Sequence, residues 1–361
     1  MVALEAGVRS QREVGAQLHV SLRGEPVVDL ALGLAAPGVP MRPDTIHLWI
    51  SMSKPVMGVA FGRLLEAGRI ELDDPVARHL PEFARGGKEP VTLRHLLTHT
   101  GGFREAWREW LAPPFWDVVR KICEAPQEPD WVAGETSGYN VCAAWYVLAA
   151  VLERVDGRSY DRYVREEIFG PLGMSDCWIG MPGDVFRTYG PRVGRMQSRE
   201  GADGAFTTSP SWGTEEGCAV LRPGGNGYGP MRELARLYEM LLGGGEREGV
   251  RLLSPDTAEL VTARHTTGLF DRTFRQIYDR GLGVVIDSKR HGQGFGWFGP
   301  FASDATFGHQ GFFSSTAFGD PAHGLVVALT WNGVRPFDPV HDARVTETLS
   351  ALYTDLGLAP A

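Results

Sequence analysis

The chain of 361 residues is 43% hydrophobic and 22% charged and carries 10 Trp, 17 Phe and 9 Tyr, a composition that excludes a disordered chain and can fill one large domain or two intimately joined ones. A formal net charge of -8 excludes a general positive field, so nucleic acid is not an expected partner. The opening segment from Met1 to Ser10 has neither a basic start nor an apolar run, and no later stretch approaches the ~18 apolar residues of a membrane helix; a cytoplasmic protein without a membrane partner is expected.

From Gly15 to Gly33 apolar and polar residues alternate around Arg23-Gly24-Glu25-Pro26, which predicts a β-hairpin. A short apolar segment, Ile46 to Ile50, leads into a helical pattern from about Ser53 to Ala67, with Pro55 in its first turn and Gly68 at its end. From Asp73 to about Gly180 the periodicity is mostly helical, with Leu93, Leu96 and Leu97 on one face and a long apolar helix from Ala143 to Val155. Gly-rich turns follow from about Phe206, then a helix from Met231 to Leu242. Strand-like runs are expected at Gly283 to Ile286, Ser314 to Phe318 and Leu325 to Trp331, with a final helix over Val340 to Leu356. Strands at both ends with helices between them predict a discontinuous α/β domain closed by its two termini. Cys123, Cys142, Cys177 and Cys218 form no C-x-x-C pair and read as buried, reduced thiols; no metal or organic cofactor is implied.

Three motifs carry chemistry. In Ser51-Met52-Ser53-Lys54, which occurs once, a serine at a helix start and a lysine one turn later share a face, and a desolvated lysine can lose its ammonium proton and activate the hydroxyl. The lysine is informative in itself. Of 36 basic residues only Lys54, Lys88, Lys121 and Lys289 are not arginine. The last three sit in polar or charged stretches that read as solvated faces, whereas Lys54 precedes a proline and an apolar helix. Tyr139, in the turn-rich Gly134-Glu-Thr-Ser-Gly-Tyr-Asn140, reads either as a half-buried packing residue or as a proton relay. His309, in Phe307-Gly-His-Gln-Gly-Phe312, reads alone as a surface histidine at a strand start, or as a donor to a substrate carboxylate or carbonyl, with Gly311 letting substrate lie along the strand.

In this order the three motifs resemble those of the serine β-lactamase, DD-peptidase and family VIII carboxylesterase superfamily, which includes the class C β-lactamases and penicillin-binding proteins. Leu72-Asp-Asp-Pro-Val76, Leu96-Leu-Thr-His-Thr-Gly-Gly102 and Ala317-Phe-Gly-Asp-Pro321 add to the likeness, which covers nearly the whole chain. The resemblance implies a β-lactamase/transpeptidase-like α/β fold, an antiparallel sheet flanked by helices plus an inserted mainly helical domain. Residues 1–75 and 206–361 would carry the sheet and residues 76–205 the helical domain, with the active site between them. It implies Ser51 as nucleophile, Lys54 as general base and Tyr139 as proton shuttle. His309, Gly311 and Phe312 would bind substrate, the backbone N–H groups of Ser51 and Phe312 forming an oxyanion hole.

Two departures steer the expected chemistry. The family's second motif is Tyr-x-Asn, but Asn140 directly follows Tyr139 and Val141 takes the carboxamide's place; His309 stands where a lysine is usual. Both favour an esterase or biosynthetic transacylase over a β-lactamase or D-amino-acid peptidase. A catalytically silent sensor on the same fold is the third possibility, disfavoured by intact Ser51, Lys54 and Tyr139. The expected partners are a small-molecule acyl donor and water, an alcohol or an amine as acceptor. Trp107, Trp110, Trp116 and Trp297 are candidates for lining an apolar pocket or for ordinary packing.

Overall fold

The computed structural model describes residues 2–10, 12–107, 109, 114–199, 204–292, 297–336 and 339–359. An antiparallel eight-stranded sheet dominates it, built from β1 (Gly15–Leu22), β2 (Glu25–Ala36), β3 (Val39–Pro40), β4 (Asp279–Arg280), β5 (Val285–Ile286), β6 (Phe307–Gly311), β7 (Ser315–Asp320) and β8 (Leu325–Trp331). The order across the sheet is β4-β5-β6-β7-β8-β1-β2-β3. The two ends of the chain therefore meet in its middle, with Ala16 opposite Trp331 and Leu22 opposite Leu325. β1 and β2 are joined through Arg23 and Gly24, both at positive φ (55° and 86°), the handedness a two-residue hairpin turn needs to match strand twist.

β8 is apolar except for Thr330 because both of its faces are covered. Leu325, Val327, Leu329 and Trp331 pack with Leu349 and Tyr353 of the C-terminal helix Pro339–Asp355. The alternate residues Val326 and Ala328 join the larger core with Leu234, Tyr238 and Leu241 of the helix Met231–Leu242. That core extends through the helices Lys54–Glu66 and Ala143–Asp156, which pack against each other. Among the described residues, no helix is long and apolar enough to cross a membrane. All four cysteines are buried free thiols.

Two sequence readings are corrected by burial. Lys88 is not on a solvated face: its side chain is enclosed, and Nζ donates to the carbonyls of Arg85 (2.6 Å), Cys123 (3.1 Å) and Ala125. Its retention as lysine has this packing reason. His309 is not a surface residue but lies inside β6, 1% exposed. Of the tryptophans, Trp107 and Trp116 pack into or against the larger core, and Trp110 lies outside the described residues.

Candidate active site

Ser51 opens a single tight turn, Ser51–Ser53, between the short strand His47–Ile50 and the helix Lys54–Glu66. Ile50 just before it sits at φ 52°, ψ -128°, a region a β-branched residue enters only under strain of about 1–3 kcal/mol. Ser53 holds the kink: its hydroxyl donates to the Ile50 carbonyl (2.6 Å) and accepts from the Gly227 N–H (2.8 Å).

The Ser51 hydroxyl is the meeting point of the two other predicted chemical groups. Lys54 Nζ lies 2.9 Å from Ser51 Oγ, and Tyr139 O–H donates to the same atom at 2.8 Å. Lys54 also donates to the Gly224 carbonyl at 2.7 Å and is fully enclosed. Burial is the main force holding its pKa down to about 7; Cys142 opposes it, and the Arg222 and Arg280 guanidinium groups push the same way as burial. In its neutral form the amine keeps one N–H on Gly224 and has a lone pair for the serine proton. Burial moves the Tyr139 phenol the opposite way, up from its ordinary range, so it stays protonated as a donor.

Tyr139 is clamped from several sides. His99 stacks on its ring at 4.6 Å, Arg280 lies over it at 5.6 Å, and Phe274 tilts against it at 4.8 Å. Arg280 is buried and paired with Asp271 at 2.7 Å. Asn140 is turned away to structural work: its backbone N–H donates to His99 Nδ1 (2.8 Å), and its Oδ1 accepts from the Ala144 N–H (3.1 Å) at the start of the long helix. His99, Gly224, Arg280, Asp271 and Phe274 were not singled out by sequence reasoning. Only His99 had a signal, its place in the Leu96–Gly102 stretch; the others reach the site through contacts far apart along the chain.

The third motif lies beside the nucleophile turn. A Cβ on Gly311 would meet the Trp49 carbonyl oxygen at 2.6 Å and Ser315 Oγ at 2.2 Å, so only glycine lets β6 come this close to the residues before Ser51. His309 lies 5.9 Å from the Tyr139 ring, centroid to centroid. Its Nδ1 is 2.7 Å from the Gln310 carbonyl and therefore carries the proton, while Nε2 is buried with no hydrogen-bond partner. Burial holds this imidazole neutral, its pKa well below the usual value, so Nε2 is an acceptor rather than the donor the sequence suggests.

A family model described as Beta-lactamase matches residues 3–350. The chain is similar to Esterase/beta-lactamase LipL of Mycobacterium tuberculosis, 29% identical over 347 residues that cover 88% of this chain and 77% of that protein. It is similar to Esterase EstB of Burkholderia gladioli, 35% identical over 195 residues, 48% of this chain and 49% of that one. Among solved structures it is similar to a penicillin-binding protein homolog from Caulobacter crescentus, with 29% identity and a TM-score of 0.80 over 97% of this chain and 96% of that one. With a match this long and a fold shared over nearly its whole length, the chain belongs to the beta-lactamase family.

Proposed function

We propose that this protein cleaves small-molecule esters through a covalent acyl-enzyme on Ser51 and passes the acyl group to water, an alcohol or an amine. The observation that carries this reading is the convergence of Lys54 Nζ (2.9 Å) and Tyr139 O–H (2.8 Å) on one serine oxygen. Neutral Lys54 takes the hydroxyl proton as Ser51 Oγ attacks the ester carbonyl, and the tetrahedral oxyanion lies between the backbone N–H groups of Ser51 and Phe312. Collapse breaks the bond to the alkoxy oxygen, which takes the Tyr139 proton, and Tyr139 is reprotonated from the Lys54 ammonium. The acceptor then donates its proton into the same relay and releases the acyl group.

Neutral His309 and the diverted Asn140 support ester over β-lactam or peptide substrates, since neither a fixed cation at that position nor a free carboxamide faces an amide substrate. Of the two relatives described above, EstB carries an esterase name and LipL carries both an esterase and a beta-lactamase name. The test is labelling with a fluorophosphonate followed by peptide mapping. A single adduct on Ser51 is expected, and no adduct, or one on a different serine, overturns the mechanism. Chromogenic acetate turnover with an added amine then separates hydrolysis from transfer.

Gly311→Ala is expected to lower ester turnover by about 10²-fold, because the Cβ forces β6 away from Trp49 and displaces Phe312. Steady-state kinetics beside a circular dichroism spectrum checks it; turnover within a few-fold of the parent would place the oxyanion donors elsewhere.

A further inference from the structure

Six large apolar side chains stand exposed among the described residues, and four of them, Val132, Phe270, Phe274 and Phe312, lie on the segments that surround Ser51 and Tyr139. Exposed apolar side chains on the segments around a reactive centre are where a binding surface is sought first. Its best-defined part is the hairpin of Phe270–Asp271 and Gln276–Ile277. That hairpin is tied to the Tyr139 loop: the Arg272 N–H donates to the Ser137 carbonyl (3.0 Å), and the Thr273 hydroxyl donates to the Tyr139 carbonyl (3.1 Å). Asp271 Oδ1 accepts from the N–H groups of Thr273 (2.8 Å) and Phe274 (3.0 Å), so the tip of the hairpin is preorganised.

Phe274 on this tip closes a ring of aromatic groups. Its centroid is 4.8 Å from Tyr139, 5.4 Å from Tyr278 and 5.8 Å from Trp297, the last at 80°. Trp297 in turn lies 5.6 Å from His309. Tyr278 and Trp297 are buried walls, but Phe274 keeps 38% of its surface open. Phe274 meets Tyr278 and Trp297 edge-to-face and Tyr139 at a tilt of 34°, so its open surface can take one more flat ring. The side of the site is chemically defined, because Phe274 packs on the residue that hands a proton to the departing oxygen.

We propose that Phe274, with Tyr278 and Trp297 behind it, forms a subsite for an aromatic leaving group, so that esters of aromatic alcohols are the preferred acyl donors. This rests on the acyl-enzyme reading and adds to it the class of alcohol released. Leaving-group selection acts on acylation alone, since esters of one acid share a single acyl-enzyme.

Benzyl acetate, cyclohexylmethyl acetate and ethyl acetate form the test series, with kcat/KM of each divided by its rate of alkaline hydrolysis. Benzyl acetate is expected to exceed both others by about tenfold or more, and Phe274→Ala to shrink that ratio by about fivefold or more. Methyl phenylacetate against methyl acetate reports on the acyl side. Equal corrected rates across the alcohol series, a ratio unmoved by Phe274→Ala, or an aromatic preference on the acyl side alone overturns the assignment while the hydrolase reading stands. No turnover of any ester overturns both. A Phe274→Ala protein that fails to fold leaves Phe274→Leu to carry the same ratio, with the same outcomes.

Discussion

Lys54→Arg is expected to lower ester turnover by about 10³-fold or more, as deeply as Ser51→Ala, and the double variant to be no worse than either single one. Lys54 Nζ fills a closed space between Ser51 Oγ at 2.9 Å and the Gly224 carbonyl at 2.7 Å. A guanidinium is larger, cannot give up its proton near neutral pH and would stand as a permanent cation where Arg222 and Arg280 already disfavour one. Charge conservation thus preserves nothing of the function, which depends on losing the charge. The same physics fixes the sign of the pH profile. With a pKa of about 7, the base is protonated and idle on the acid side, so kcat/KM of the parent protein rises as pH increases through about 7 and levels above it. Measuring kcat/KM for a chromogenic acetate from pH 5 to 9, on parent and variants, checks both statements. A Lys54→Arg protein within tenfold of the parent, or a parent rate that falls on passing upward through pH 7, would remove Lys54 from the role of base.

Where a feature depends on neighbours along the chain, the sequence was a good guide. The Arg23-Gly24 turn, the Lys54–Glu66 helix with Pro55 at its start and the Leu325–Trp331 strand follow from local turn chemistry and patterning. Ser51 and Lys54 were legible because a single helical turn joins them. What escaped was set by burial and by partners distant along the chain. Lys88 and His309 stand in polar or Gly-flanked stretches and yet are enclosed, Lys88 by three carbonyls and His309 by the sheet. Arg280 on β4, with Asp271 and Phe274 on a hairpin that no periodicity announced, reaches Tyr139 across more than 130 positions. The carboxamide that follows Tyr139 directly is held in structural contacts, donating toward the Phe103 carbonyl and accepting from the Ala144 N–H of the next helix.

Arg344→Met is expected to destabilise the fold by about 3–5 kcal/mol, more than any surface ion pair would, because it strands a buried carboxylate. Arg344 of the C-terminal helix pairs with Glu13, just ahead of β1, and the two side chains are 7% and 5% exposed. Its Nη2 also donates to the carbonyls of Phe313 (2.8 Å) and Gly333 (3.1 Å), and the guanidinium lies 4.4 Å from the Trp331 ring centroid. One side chain therefore ties together both termini, the end of β8 and the residue after Phe312. Burial already raises the Glu13 pKa, with Arg344 as the chief counterweight, so removing the guanidinium raises it further and the deficit grows as pH rises through the carboxylate range. A cavity of about 120 Å³ beside the pair, lined in part by Arg12 and Glu347, can admit water and puts the cost at the lower end of the range. Adding Glu13→Gln to Arg344→Met is expected to recover part of the loss, since the stranded charge is gone while the ties to Phe313 and Gly333 remain broken. Urea unfolding of the parent, both single variants and the double variant at pH 5 and pH 8 measures the cycle. A loss below about 1 kcal/mol for Arg344→Met, or a double variant less stable than Arg344→Met itself, would show that the Glu13 charge is not what Arg344 holds in check.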